Sequence, residues 1–143
     1  MIRRAEAADY DRLVAIWLEA SRTAHPFVSF CFWEGQAEAM RRIYLPSADT
    51  RVYVGKEGVP LGFLSLTEGH IAALFVDPAA QGRGIGKKLL AEAKALYSAL
   101  TLAVYVQNER AVGFYTSRGF VETQRRIDGT TGCLEIVMKW SEE

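Results

Sequence analysis

Apolar residues recur along the chain at two different periods, and the switches between them mark out the elements. Ile2 to Arg4 is long enough only for a short first strand. Leu13, Ile16, Trp17 and Ala20 then return at helical spacing, with Asp9 where an N-cap belongs. Asp9 to about Ala24 is therefore predicted as an amphipathic helix, ended by His25-Pro26. Phe27 to Trp33 is crowded with aromatics, and a second helix is predicted from Glu34 to about Tyr44, stopping ahead of Pro46. From there the period shortens. Arg51 to Gly55 and Leu61 to Leu66 flank Lys56-Glu57-Gly58 as a hairpin, Gly69 marks another turn, and His70 to Val76 is a strand closed by Asp77-Pro78. Leu89, Leu90, Ala93 and Leu96 restore a helical stripe running to about Ala99. Thr101 to Val106 is a strand and Ala111 to Arg118 a short helix stopped by Gly119. Val121 to Ile127 and Leu134 to Trp140 are the last strands, joined around Asp128-Gly129. The order (strand, two helices, three strands, helix, strand, helix, two strands) predicts an α/β (α+β) protein with one mixed sheet, neither a bundle nor a strict βαβ alternation.

Composition narrows the class. Half of the 143 residues are hydrophobic, enough for one core, and no linker or internal repeat divides residues 1–143, so a single domain is expected. Seventeen Lys and Arg balance seventeen Asp and Glu, which argues against a nucleic-acid partner. No apolar run approaches the about 18 residues of a membrane helix, and the start, Met1-Ile2-Arg3-Arg4-Ala5-Glu6, lacks a signal-peptide core; the expectation is a cytoplasmic protein without a membrane partner. Cys31 and Cys133 suit a reducing compartment and are expected as small buried residues without a role. With two isolated histidines beside them, no metal site is expected.

The stretch richest in chemistry is Leu74-Phe75-Val76-Asp77-Pro78-Ala79-Ala80-Gln81-Gly82-Arg83-Gly84-Ile85-Gly86-Lys87, which runs from strand through glycines into helix. Glycines at a helix start let backbone N–H groups close around an anion, and the helix dipole adds positive charge. The implied ligand is a phosphate, and three alternate glycines suit a diphosphate. A Rossmann fingerprint begun at Gly82 would need glycine at Lys87, and a Walker loop ending at Gly86-Lys87 would need glycine at Gln81 and Ser or Thr at Lys88. Neither a dinucleotide nor a nucleoside triphosphate is supported; a strand-to-helix turn with no ligand remains the alternative.

Gln81-x-x-Gly84-x-Gly86 resembles the Q/R-x-x-G-x-G/A signature of the GNAT superfamily of acetyl-CoA-dependent N-acetyltransferases. Asn108-Glu109-Arg110-Ala111-Val112-Gly113-Phe114-Tyr115-Thr116-Ser117-Arg118-Gly119-Phe120 resembles that family's N-x-x-A-x-x-F-Y-x-x-x-G-F segment. With the His70 strand the match spans residues 70 to 120, 51 of 143, and it is most similar to the small bacterial YjaB-type members. The resemblance implies a splayed, mostly antiparallel sheet flanked by helices and acetyl-CoA as co-substrate. It implies that the amides of Gln81, Gly82, Arg83, Gly84, Ile85, Gly86 and Lys87 hold the pyrophosphate. Leu74, Phe75 and Val76 would pair with the pantetheine arm, and Asn108 would hydrogen-bond it. Homodimers are common in the superfamily.

Catalytic roles follow from the same resemblance. A lysine-like amine is neutral in only about one molecule in 2,500 at pH 7, so a base is useful. Many members use a glutamate six residues before the valine ending the strand. Counting back six from Val76 reaches His70, and imidazole is a competent base. A strand-end histidine capping the Gly69 turn is the plainer alternative. A two-residue period places His70 on the face of Ala72, Leu74 and Val76. Tyr115, the tyrosine of the F-Y pair, would protonate the leaving thiolate, and the Val76 N–H would hold the oxyanion. His25, the other histidine, reads as structural from its place beside Pro26 at a helix end, with the base role as its alternative. The aromatics Phe27 to Trp33, with Trp17, occupy the segment that in this family covers the acceptor. The activity implied is acetyl transfer to a primary amine, on a small molecule or a peptide. The alternatives are a module that binds acyl-CoA without turnover, or an acetyltransferase acting on protein lysine or N-termini.

Overall fold

The computed structural model describes residues 1–142. Seven strands form one sheet: β1 (Ile2–Arg4), β2 (Asp49–Val54), β3 (Pro60–Thr67), β4 (His70–Val76), β5 (Ala99–Tyr105), β6 (Val121–Ile127) and β7 (Leu134–Ser141). Their spatial order is β1-β2-β3-β4-β5-β7-β6, antiparallel throughout except for the parallel contact between β4 and β5. The helices are α1 (Tyr10–Ala24), α2 (Phe30–Ala39), α3 (Leu45–Ser47), α4 (Ile85–Leu96) and α5 (Glu109–Thr116). Apart from the short α3, the element order is the one the apolar periodicity predicts, and β4 and β6 have the expected bounds.

Alternation along the strands separates two cores, one on each face of the sheet. Leu64, Leu66, Leu100, Leu102, Ile136 and Met138 are turned to the face that α4 covers with Ile85, Leu89, Leu90 and Ala93. Val52, Phe63 and Ala73 are turned to the other face, against Leu13, Ile16 and Trp17 of α1 and Trp33 of α2. Gly62 is what lets α4 approach: a Cβ there would lie 3.2 Å from both Ile85 Cγ2 and Leu89 Cδ1 and 3.0 Å from the Phe75 carbonyl. Arg12 fastens α1 to the strand ends, donating to Pro60 O at 3.0 Å and to Asp77 Oδ2 at 2.6 Å.

Three local expectations need correction. Asp9 caps no helix through its side chain at α1; its carboxylate accepts from the Glu6 N–H at 2.8 Å and pairs with Arg3 at 2.8 Å. The second helix starts at Phe30, four residues early, because Phe30, Trp33 and Ala37 share one helical stripe packed on the α1 core. It widens into a π-helical turn over Met40–Tyr44 and passes into α3, whose first turn accommodates Pro46. Cys31 is exposed and Cys133 partly exposed, so neither is the buried residue expected.

Candidate active site

The sheet opens between β4 and β5. Only His70 and Thr101 are in register across that seam, so beyond His70 the two strands diverge. Val76 lies opposite Gly62 on β3, and the Asp77 N–H donates to Leu61 O at 2.8 Å. In an antiparallel ladder this pattern turns the Val76 N–H and C=O away from β3, into the opening, and the same alternation turns those of Leu74 there. Gln81 Nε2 already reaches the Val76 carbonyl from that side, at 3.3 Å.

At the outer end of the opening is the glycine turn. Gly82 and Gly84 are in the left-handed region at φ +85° and +79°, and a Cβ on either would touch nothing. Their backbone conformation, not crowding, calls for glycine. None of the backbone N–H groups from Gly82 to Lys87 finds an acceptor among the described residues. The first α4 amide bond is Lys88 N–H to Gly84 O at 3.1 Å. Six unpaired donors at the start of a twelve-residue helix make an anion cradle. A cavity of about 730 Å³ runs from this cradle along Leu74, Phe75 and Val76 to Asn108 and Tyr115. Gln81, Gly82, Gly84, Ile85, Gly86 and Lys87 line it; the Arg83 side chain does not, leaving that residue its amide alone.

A second cavity of about 490 Å³ adjoins the first on the α1 side of the sheet. His70 belongs here, which overturns the face assigned by a two-residue period. Ser65 pairs with Ala73 and Leu66 with Ile71, so Ala72 is an unpaired bulge residue. The extra residue reverses the alternation and carries His70 to the face of Ala73 and Phe75, away from Leu74 and Val76. Its Nδ1 lies 2.9 Å from Thr101 Oγ1. His70 keeps part of its surface exposed, yet partial burial of the ring, then the Arg126 charge, lowers its pKa below the ordinary histidine value, and Glu135 partly opposes this.

Tyr115 and Asn108 line both cavities. Tyr115 is buried in the face of α5 that meets Phe120, and burial raises its phenol far above the usual range, so it stays protonated at neutral pH. Asn108 caps α5, accepting from the Ala111 N–H at 3.3 Å, while its Nδ2 lies 3.3 Å from His25 Nε2. His25 is thus no mere helix-end residue. It sits in the wall of the second cavity between the rings of Phe27, Trp33 and Tyr105, and burial lowers its pKa to about 4.

Of the aromatics in that acceptor-side segment, Trp17 and Trp33 line the second cavity. Phe30 instead lies under the Arg22 guanidinium and Phe32 packs edge-on to Trp33. Tyr44, Tyr105 and Glu135 also line it and were missed by sequence reasoning. Tyr105 and Glu135 share the His70 face only through strand register, and no local motif marks them. Among the described residues no group of three or more His, Cys, Asp or Glu is placed to hold a metal, and no helix is long and apolar enough to cross a membrane.

Comparison with known proteins bears on this geometry. The family profile of the acetyltransferase (GNAT) domain matches residues 30–142. Peptidyl-lysine N-acetyltransferase YjaB of Salmonella typhimurium is 40% identical over 124 residues, covering 87% of this chain and 85% of that protein. Peptidyl-lysine N-acetyltransferase YiaC of Escherichia coli is 37% identical over 141 residues, covering 98% and 96%. The solution structure of apo-form YjaB from Escherichia coli superimposes with a TM-score of 0.88 at 34% identity, covering 98% of this chain and 96% of that one. The splayed sheet, the glycine cradle and these relatives lead to one conclusion: the chain belongs to the GNAT family and is an acetyl-CoA-dependent N-acetyltransferase.

Proposed function

We propose that the acceptor is the ε-amine of a lysine in a peptide or protein, acetylated in the opening between β4 and β5. The observation that carries this reading is the pair of adjoining cavities. One ends in an anion cradle and the other is walled by aromatics, and both meet at Tyr115. Acetyl-CoA supplies a thioester whose acyl carbon accepts an amine. The cradle at Gly82 to Lys87 suits its diphosphate, and the inward-turned polar groups of Leu74 and Val76, with Asn108, suit the amides of its arm. The second cavity suits a long, mostly apolar side chain entering from the surface. Trp17, Trp33 and Tyr105 flank the stem, and Tyr44, more than half exposed, stands at the rim. The relatives at 37–40% identity are named peptidyl-lysine N-acetyltransferases, which favours this class over a small free amine.

In this reading the His70 Nδ1–H donates to Thr101, leaving the Nε2 lone pair for the amine proton. The amine nitrogen bonds to the acyl carbon, the Val76 N–H holds the oxygen, and the carbon–sulfur bond breaks with the Tyr115 proton passing to the departing thiolate. His70 then returns its proton to solvent, and Tyr115 is reprotonated. The decisive experiment is thiol release measured across lysine peptides, peptide N-termini and small primary amines. Fast release with lysine peptides is expected. Release only with small amines would reassign the acceptor, and coenzyme binding without release under any acceptor would favour a sensing module.

A further inference from the structure

We propose that His25 is a positioning residue for acetyl-CoA binding: it accepts a hydrogen bond from Asn108 and so holds that amide toward the coenzyme. This rests on the reading above in which Asn108 contacts the coenzyme.

The hydrogen-bond chain dictates the polarity. The Ala111 backbone N–H can only donate, so the Asn108 atom it meets at 3.3 Å is the carbonyl Oδ1. The other end of the amide, Nδ2, therefore faces His25 at 3.3 Å and can only donate. His25 Nε2 must accept, which puts the imidazole proton on Nδ1. That ring nitrogen is buried, has no partner among the described residues, and lies among three aromatic rings with centroids 5.1–5.6 Å away. Burial keeps the ring neutral at physiological pH.

Two consequences follow. The single lone pair of neutral His25 is committed to Asn108, so His25 cannot serve as the base, and that role stays with His70. Second, an asparagine side chain has four hydrogen-bonding positions, of which Ala111 and His25 take two. One Nδ2 hydrogen and one Oδ1 lone pair remain, in a plane set by those two contacts, on a residue that borders both cavities. The Ala111 bond decides which end is oxygen; the His25 bond stops the amide from swinging. His25 also ends α1, so the same bond ties the acceptor-side wall to the coenzyme side across the splay.

The test is acetyl-CoA affinity by calorimetry in His25→Phe, His25→Gln, Asn108→Ala and the double variant His25→Phe with Asn108→Ala. Phenylalanine keeps the ring among its aromatic neighbours but accepts nothing. It is expected to raise the coenzyme Kd by about three- to tenfold, the range of one net hydrogen bond, with acceptor KM changed less. Glutamine can accept through Oε1 and should restore most of the affinity. The double variant should bind no more weakly than Asn108→Ala alone, since both remove one interaction. Independent of any variant, imidazole nitrogen NMR of the unaltered protein should show His25 protonated at Nδ1 and bare at Nε2. Additive losses in the double variant, an acceptor KM effect without a coenzyme effect, or an Nε2–H tautomer each overturn the inference. If Asn108→Ala leaves the coenzyme Kd unchanged, the Asn108 reading itself fails and takes this inference with it. If Asn108→Ala weakens binding and His25→Phe does not, the inference fails alone.

Discussion

In the proposed mechanism His70 and Tyr115 do opposite work, and their surroundings move each toward its task. A base must be neutral. Partial burial and the Arg126 charge lower the His70 pKa, so the ring remains competent below the ordinary value of about 6.5. The ascending limb of kcat/KM is therefore expected to have its midpoint below about 6.5, the low side of what an unperturbed histidine gives. His70→Ala should lower the rate by about 10²-fold and remove that limb, with little change in coenzyme affinity. Arg126→Gln removes a positive charge and releases Glu135 from its 2.6 Å ion pair; both changes favour the imidazolium, so the limb should move to higher pH. A limb that stays in place under both changes would dissociate it from His70. The Tyr115 phenol is pushed up by burial and keeps its proton to give. Tyr115→Phe should lower the rate by about 10²-fold while leaving the limb where it was, because thiolate protonation is a separate step. An unchanged rate in Tyr115→Phe removes the acid assignment.

The glycine turn works as an element, and its three glycines are not equivalent. Gly84 is the N-cap of α4 at φ +79°, where an alanine would pay about 1–2 kcal/mol in backbone strain before any ligand arrives. Gly86 has ordinary helical backbone, and a Cβ there would lie 3.7 Å from Phe114 and Val76, normal contact at the edge of the cleft. Gly84→Ala should therefore lower the melting temperature by several degrees, while Gly86→Ala should leave it nearly unchanged. Gly84→Asp and Gly86→Asp, which bring negative charge to the cradle, should both abolish the stabilisation that acetyl-CoA in hundredfold excess gives the unaltered protein, about 2.7 kcal/mol. Full stabilisation of either folded aspartate variant would show that the diphosphate lies elsewhere. This element was legible in the sequence because its chemistry is local: glycine spacing, the strand before and the helix after are all contiguous. The face presented by His70 was not. Its position relative to Val76 could be counted, but the bulge at Ala72 depends on how β3 pairs with β4, which no residue type at 72 announces. Glu135 and Tyr105 escaped for the same reason, since only β5 and β7 register brings them to the His70 face of the sheet.

At the scale of the whole molecule, the histidines link stability to pH. His25 is buried, and its pKa falls from about 6.5 in the unfolded chain to about 4 in the folded one. Between those values the unfolded state binds more protons than the folded state, so stability rises with pH across that window. The contribution is fully present above about 6.5 and is lost as pH falls through 4; a shift of this size corresponds to about 3 kcal/mol. His70 is also lowered and contributes in the same direction. The carboxylates act in a lower window. Asp9 is held below its usual value by Arg3, and Asp77 by the Ala79 N–H and Arg12, so their stabilisation is present above about pH 4 and fades only beneath it. Two declines should therefore be separable in denaturant titrations from pH 7.5 to 2.5. His25→Phe is expected to flatten most of the upper one while leaving the lower one in place, and His70→Ala to remove only a smaller part. The slope against pH is the quantity to compare, because Phe at position 25 also changes packing and shifts the whole curve by a constant. An unaltered upper slope in His25→Phe would mean that His25 titrates alike in the folded and unfolded states, which a ring enclosed by Phe27, Trp33 and Tyr105 cannot do while its Nδ1 is shielded from water.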